Sequence, residues 1–157
     1  MKKIFALACA AALLCFVLVG CGGSNGAVEN KTGLEPGTYT VTFKTDSTMF
    51  AVNEAYDNKG TMTVTKDSAT VHVVLKAKGI CNLYLGSAAD AKTHEDKALQ
   101  PTEEKVTYSD GLSKKCYAFD IPVSELNKEF DCAIKGTDSG KWWDHKVTVS
   151  DPQPVTK

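Results

Sequence analysis

The sequence predicts an all-β protein: an antiparallel β-sandwich of about seven or eight strands with one short helix, preceded by a leader. Three observations carry this prediction. Apolar and polar residues alternate in several short stretches, turn-forming residues recur between them, and one charged, alanine-rich segment breaks the alternation.

The leader comes first in the chain. Lys2 and Lys3 precede an unbroken apolar run from Ile4 to Val19, followed by Gly20-Cys21. This is the charged region, apolar region and cleavage site of a secretory signal peptide, expected over residues 1–20. Leu18-Val19-Gly20-Cys21 resembles the bacterial lipobox, in which the cysteine is diacylated and becomes the first mature residue. Two acyl chains hold a domain stably on a membrane, so Cys21 is the expected lipidation site. The small, polar residues 21–33 read as a flexible tether. The expected location is therefore extracytoplasmic, anchored to the cell membrane as a lipoprotein. The remaining chain divides into one domain over residues 34–152 and a tail over 153–157.

The strands follow in order. "GTYTVTFKT" sets Tyr39, Val41 and Phe43 on one face, against Thr40, Thr42 and Lys44 on the other. "GTMTVTK" turns Met62 and Val64 inward, and "KDSA" then makes a hairpin turn into "ATVHVVLKA", with Val71, Val73 and Leu75 inward. "GICNLYLG" groups Cys81, Leu83 and Leu85 opposite Ile80, Asn82 and Tyr84. "SAADAKTHEDKALQ" follows Ser87, a good helix N-cap, and predicts the short surface helix. Asp110-Gly111 lies between two alternating arms, a strong hairpin signal. "EFDCAIKG" brings Phe130, Cys132 and Ile134 into register, and "WWDHKVTVS" reads as the last strand. "DSTMFAVNEAYDNKG" has no clean period and reads as a long irregular loop of the kind that often carries function.

Composition narrows the functional classes. Removing Lys2 and Lys3 leaves 16 lysines against 19 acidic residues, a net charge of −3, and there is no arginine. That argues against nucleic-acid or phosphate recognition, which leans on bidentate arginine. Cys81, Cys116 and Cys132 remain after the leader and Cys21, so one disulfide with three alternative pairings is open, or none. No GxSxG, HExxH or glycine-rich phosphate loop is present, and the chain is not expected to be an enzyme. His94 reads as solvated in the surface helix.

Binding residues are better represented. Met49 and Phe50 read either as a plug of the core or as an apolar lip over a flat ligand. Strand parity puts Trp143, His145, Val147 and Val149 on one face and Trp142, Asp144, Lys146 and Thr148 on the other. If the valines face the core, Trp143 is buried with them and Trp142 is the exposed contact residue. His72, His145, Met49 and Met62 could together capture a transition metal, although Met62 faces inward.

The order of these pieces resembles the NEAT (near-iron-transporter) domain over roughly Leu34 to Pro152. The likeness begins with "GTYTVTFKTDSTMFAVNEAY" and runs through "YAFDIPVSELNKEFDCAIKG" to "WWDHKVTVSDP". The resemblance implies an immunoglobulin-like sandwich on a cell surface. It implies haem bound between the segment after the first strand and the last hairpin, with Ser47, Met49 and Phe50 as the lip. Haem-binding members carry Tyr-x-x-x-Tyr on the last strand. Here Trp142, Trp143, Asp144, His145 and Lys146 stand in that stretch, and His145 is the side chain that can take iron. The expectation is a membrane-anchored module for haem or iron capture, serving an ABC-type uptake system. The alternatives are an immunoglobulin-like module that binds a protein or glycan through Trp142, and a transition-metal-binding lipoprotein.

Overall fold

The computed structural model describes residues 28–156, so the expected leader, Cys21 and most of the tether lie outside the described residues. Among these residues there are nine strands: β1 (Gly37–Thr45), β2 (Lys59–Val64), β3 (Ala69–Val74), β4 (Ile80–Leu85), β5 (Thr102–Thr107), β6 (Ser113–Pro122), β7 (Glu129–Gly136), β8 (Trp142–Trp143) and β9 (Lys146–Pro154). Helix α1 (Ala88–Thr93) lies between β4 and β5, followed by a 3-10 turn over Glu95–Lys97. A second 3-10 turn, Glu54–Tyr56, interrupts the long loop after β1. Every strand pair is antiparallel, and the protein is all-β with one short α-helix.

Eight strands hydrogen-bond in the order β4-β7-β9-β1-β2-β3-β6-β5, with β8 added to β7. The alternation read from the sequence decides how this sheet curls. Val41 and Phe43, Met62 and Val64, Val71 and Val73, Phe119 and Ile121, Cys132 and Ile134, and Val147 and Val149 all belong to one buried cluster. A sheet that feeds a single core from one face of nearly every strand must wrap around that core. Its two ends almost meet. The Leu83 N–H donates to the Leu99 carbonyl (3.3 Å) and the Leu99 N–H to the Leu83 carbonyl (2.7 Å), with Leu99 just ahead of β5. That contact covers part of the β4 edge, which would otherwise offer unpaired backbone groups to another chain.

The same seam carries an ion cluster. Glu103 on β5 accepts hydrogen bonds from Lys115 (2.6 Å) and from Lys78 in the β3–β4 connection. These bonds, the Lys115 bond foremost, hold the Glu103 carboxyl down to about 2. A carboxyl held below its unfolded value stabilises the fold above the ordinary range near 4.5, and that stabilisation fades as pH falls toward 2. An NMR titration is expected to place the Glu103 midpoint near 2 in the wild type, and to move it up toward the ordinary value in Lys115→Ala. An unchanged midpoint in the variant would remove Lys115 as the cause.

Two bulges depart from simple parity. In β4 the register against β7 shifts between Ile80 and Asn82, so Ile80 and Leu83 both enter the core. The expected split of Cys81, Leu83 and Leu85 from Ile80 is thereby corrected: Cys81 is only half-buried, and Ile80 joins Leu83 in the core. One extra residue at a bulge re-aims every side chain on one side of it. In β9 the register against β1 slips between Gln153 and Ser150. Asp151 there adopts a left-handed conformation (φ 52°) beside Pro152, which has no N–H to give the ladder.

Backbone pairing extends toward both termini of the described chain. Gln153 and Pro154 pair with Thr40 and Tyr39, so the ladder runs past residue 152. At the other end the Lys31 N–H donates to the Ser124 carbonyl (2.9 Å) and the Asn30 N–H to the Asp67 carbonyl (3.2 Å). The last residues of the expected tether are thus docked at the Gly37 end of β1. The three thiols are free: Cys116 and Cys132 are buried and Cys81 is half-buried. Burial pushes the Cys132 thiol up to about 12, which leaves it without thiolate character at neutral pH.

Candidate ligand-binding site

The turn that leaves β1 is built by its own hydroxyls. The Thr45 Oγ1–H donates to the Ser47 carbonyl (2.9 Å) and also contacts the Phe50 carbonyl. Ser47 Oγ accepts from the N–H groups of Met49 (3.2 Å) and Phe50 (3.4 Å). Such side-chain caps replace the ladder hydrogen bonds that the chain gives up on leaving the sheet. The turn sends its two apolar residues in opposite directions. Phe50 is fully buried, edge-on to Phe43 at 5.9 Å, whereas Met49 is 71% exposed. Of the three residues expected to form a lip, Phe50 belongs to the core and Met49 is exposed.

Across from this turn lies the stretch between β8 and β9. The expected single strand over "WWDHKVTVS" is broken at Asp144-His145, and each of these residues is committed to a different neighbour. Asp144 Oδ1 accepts the Ala88 N–H (2.6 Å) at the start of α1, where a carboxylate suits the unpaired amides. His145 turns the other way, and its Nδ1 lies 2.8 Å from Asp46 Oδ1. Its ring sits 6.3 Å from that of Phe50, and its carbonyl accepts the Cys132 N–H (3.0 Å). Its side chain keeps 19% exposure. Partial burial pushes the Asp46 carboxyl up, but the His145 hydrogen bond and the Lys146 backbone outweigh it, leaving the group below its ordinary value. An ionised carboxylate can only accept, so Nδ1 carries the proton in this pair.

The tryptophans divide by face as parity implies, with their burial reversed. Trp143 pairs with Ile134 and Trp142 with Lys135. Opposite residues of an antiparallel pair share a face, so Trp143 lies on the core side and Trp142 on the outer side. Trp142 is nevertheless 6% exposed and Trp143 53%. The outer face is roofed by α1, whose Ala88 and Ala91 join Ala98 and Ala133 in a slot of small side chains around the indole. Trp142 Nε1–H donates to Glu95 Oε1 (2.9 Å), Tyr84 meets it edge-on at 6.4 Å, and Lys135 Nζ sits 5.7 Å from its ring. Trp143 lies on the core side and is left exposed by the described residues. The expected contact residue Trp142 is therefore a pin for α1, and Trp143 takes the exposed role.

These positions gather at one end of the molecule. Met49 lines a groove of about 210 Å³ with Leu75, Ala77 and Ile80, and Ile80 pairs with Gly136, two residues along β7 from the partner of Trp143. On the other side of the turn a wider groove of about 520 Å³ is lined by Lys44, Thr45, Ser47, Thr48 and Lys76. The N-terminal end of the described chain, where Lys31 meets Ser124, lies at the opposite end of β1, roughly 30 Å away for a nine-residue strand.

The transition-metal grouping does not assemble. His72 is held on β3 between Glu104 (Nε2, 2.9 Å) and Asp120 (Nδ1, 2.8 Å), Met62 is fully buried, and His145 bonds to Asp46. Among the described residues no cluster of three or more His, Cys, Asp or Glu could hold a metal ion. Strand parity gave no sign of Asp46, Glu95 or Asp144, because each acts on a residue about 50 to 100 positions away. No protein-family model, curated protein or solved structure matches the chain.

Proposed function

We propose that the protein is a lipid-anchored, extracytoplasmic binding module of the NEAT-like kind, with an immunoglobulin-like sandwich, that captures haem or a related flat iron chelate. The observation that supports this reading is the exposure of Met49, in the turn that leaves β1 after Thr45, and of Trp143, in the short strand before β9, with His145 between β8 and β9 oriented by Asp46. Large exposed apolar side chains lose free energy to water unless a ligand covers them, and together they suit a flat apolar face. The reading also rests on the lipobox-like Leu18-Val19-Gly20-Cys21, and on the separation of Met49 from the N-terminal end of the described chain. A domain held at one end presents the other away from the membrane, where cargo arrives and an uptake system can receive it.

Haem would supply an iron centre on an apolar disc carrying two carboxylates. His145 would be the residue to hold the iron, and Met49 and Trp143 would offer apolar surface to the disc. The Ser47 hydroxyl, Lys44 and Lys76 in the adjoining groove offer donors to the carboxylates. The donor set fits in kind: an imidazole with one nitrogen engaged by a carboxylate is a common metal ligand.

Titrating residues 22–157 with hemin tests the proposal. The expected result is a Soret shift with tryptophan quenching, and affinity lowered about tenfold in Trp143→Ala, the equivalent of ~1.4 kcal/mol. Absence of any Soret shift would sink the haem reading. A second reading, contact with a protein or glycan, is favoured by the exposure of Trp143 alone. It predicts a partner recovered from envelope extracts by the wild type and lost with Trp143→Ala, without any hemin response.

A further inference from the structure

We propose that an apolar groove at the N-terminal end of the described chain binds the alkyl chain of a single-chain membrane lipid with an uncharged or zwitterionic head. The inference takes from the reading above only the anchoring at Cys21, and it is independent of haem. The groove has a volume of about 330 Å³, at the small end of the ~300–1,000 Å³ usual for ligand sites. It lies where the ends of β4 and β6 meet the start of β7. Buried Val123 lines it together with Leu85 and Phe130, which both pack against the main core. Pro122 and Val28 complete the apolar lining.

The polar side chains around this groove are spoken for. The Ser124 Oγ–H donates to the Glu29 carbonyl (3.0 Å), Lys128 Nζ to Glu125 Oε1 (3.1 Å), and Asp131 pairs with Lys146. Glu129 is left at the exposed edge. A ligand here therefore gains by leaving water rather than by polar contacts, and an anionic head group meets a like charge at the mouth. The occupant follows from where the chain enters. The Lys31 N–H and the Ser124 hydroxyl tie the entering chain to the groove wall, with Val28 on the lining. Cys21, the expected anchor, stands seven residues before Val28. Seven residues span at most about 25 Å, which keeps the groove within that distance of the bilayer surface. Lipid is the apolar ligand in supply there, and a groove of this size takes one alkyl chain rather than two.

The experiment titrates residues 22–157, whose core and ladder are complete from Val28 onward, with lauroyl-lysophosphatidylcholine below its micelle concentration. Saturable one-to-one binding is expected by calorimetry, with NMR shifts at Leu85, Val123 and Phe130 and none at Met49 or Trp143. Val28→Glu puts a charge on the lining without touching the main core, and is expected to weaken binding at least about tenfold. Phe130→Ala is expected to do the same, with its melting temperature reporting whether it is folded. Trp143→Ala is expected to bind the lipid as the wild type does, and laurate to bind more weakly than the lysolipid. No saturable binding, or wild-type affinity in Val28→Glu, overturns the groove as a lipid site. Laurate binding more tightly than the lysolipid overturns the head-group assignment. Binding by residues 22–157 that is lost in the full acylated chain means that its own anchor fills the groove, and overturns the free-lipid source. A full chain that mass spectrometry shows without acyl groups on Cys21 overturns the anchoring reading, an outcome separate from the titration of residues 22–157.

Discussion

Truncating Trp142 to alanine is expected to destabilise the domain by about 3–5 kcal/mol, the range for removing a large buried aromatic. The indole fills a slot lined by Ala88, Ala91, Ala98 and Ala133, and none of these can grow into the space it leaves. Its loss also takes the Nε1–H donor from Glu95, the edge contact from Tyr84 and the ring beneath Lys135. The Glu95 carboxyl, held below its ordinary value first by that indole bond and then by Lys135, is expected to titrate higher in the variant. Urea unfolding checks the stability: the midpoint should fall with an unchanged slope. Trp142→Phe keeps most of the packing and loses the N–H, so it should cost only about 1–2 kcal/mol. A Trp142→Ala protein within ~0.5 kcal/mol of the wild type would mean that α1 does not depend on this residue. Acrylamide should quench Trp143 and spare Trp142, since only the former is exposed.

The neighbouring pair Met49 and Phe50 should separate stability from binding. Phe50→Ala is expected to cost about 3–5 kcal/mol, because the ring is fully buried against Phe43 and His145. Met49→Ala should leave stability within ~0.5 kcal/mol, as surface changes usually do, while weakening hemin binding. Denaturation and hemin titration on both variants read the two effects. If Met49→Ala destabilised the domain as much as Phe50→Ala, the division of this turn into lip and core would be wrong.

Much of the sheet is legible in the chain. Strict alternation in β1, β2 and β3 identifies Val41, Phe43, Met62, Val64, Val71 and Val73, and all of them reach the core. Ser87 caps α1 as its residue type implies, with its Oγ accepting the Asp90 N–H at 3.1 Å. The turns at 65–68 and around Asp110-Gly111 join the strands they separate, and Gly111 takes the positive φ of 83° that favours glycine there. These features are local, so neighbouring residues suffice to specify them. Parity fails where the ladder inserts a residue, as at Cys81 in β4, because the insertion is set by the partner strand. It is also silent about Asn53, a fully buried polar side chain that caps the 3-10 turn and donates to the Leu75 carbonyl and the Tyr108 hydroxyl.

The candidate site divides in the same way. The sequence by itself determines that Trp142 and Trp143 face opposite sides, that a Ser- and Met-bearing turn follows the first long strand, and that His145 shares a face with the core valines. Period two in a strand follows from backbone geometry, and no other part of the fold is needed to read it. Only the tertiary structure decides which of those faces is covered. α1 roofs the outer face over Trp142, while the described residues leave Trp143 exposed on the core side. Likewise only the folded chain brings Asp46 to His145 across 99 positions, turning a strand-end histidine into an oriented one. Alternation fixes direction, but burial and hydrogen-bond partners depend on whatever the rest of the chain lays against that direction.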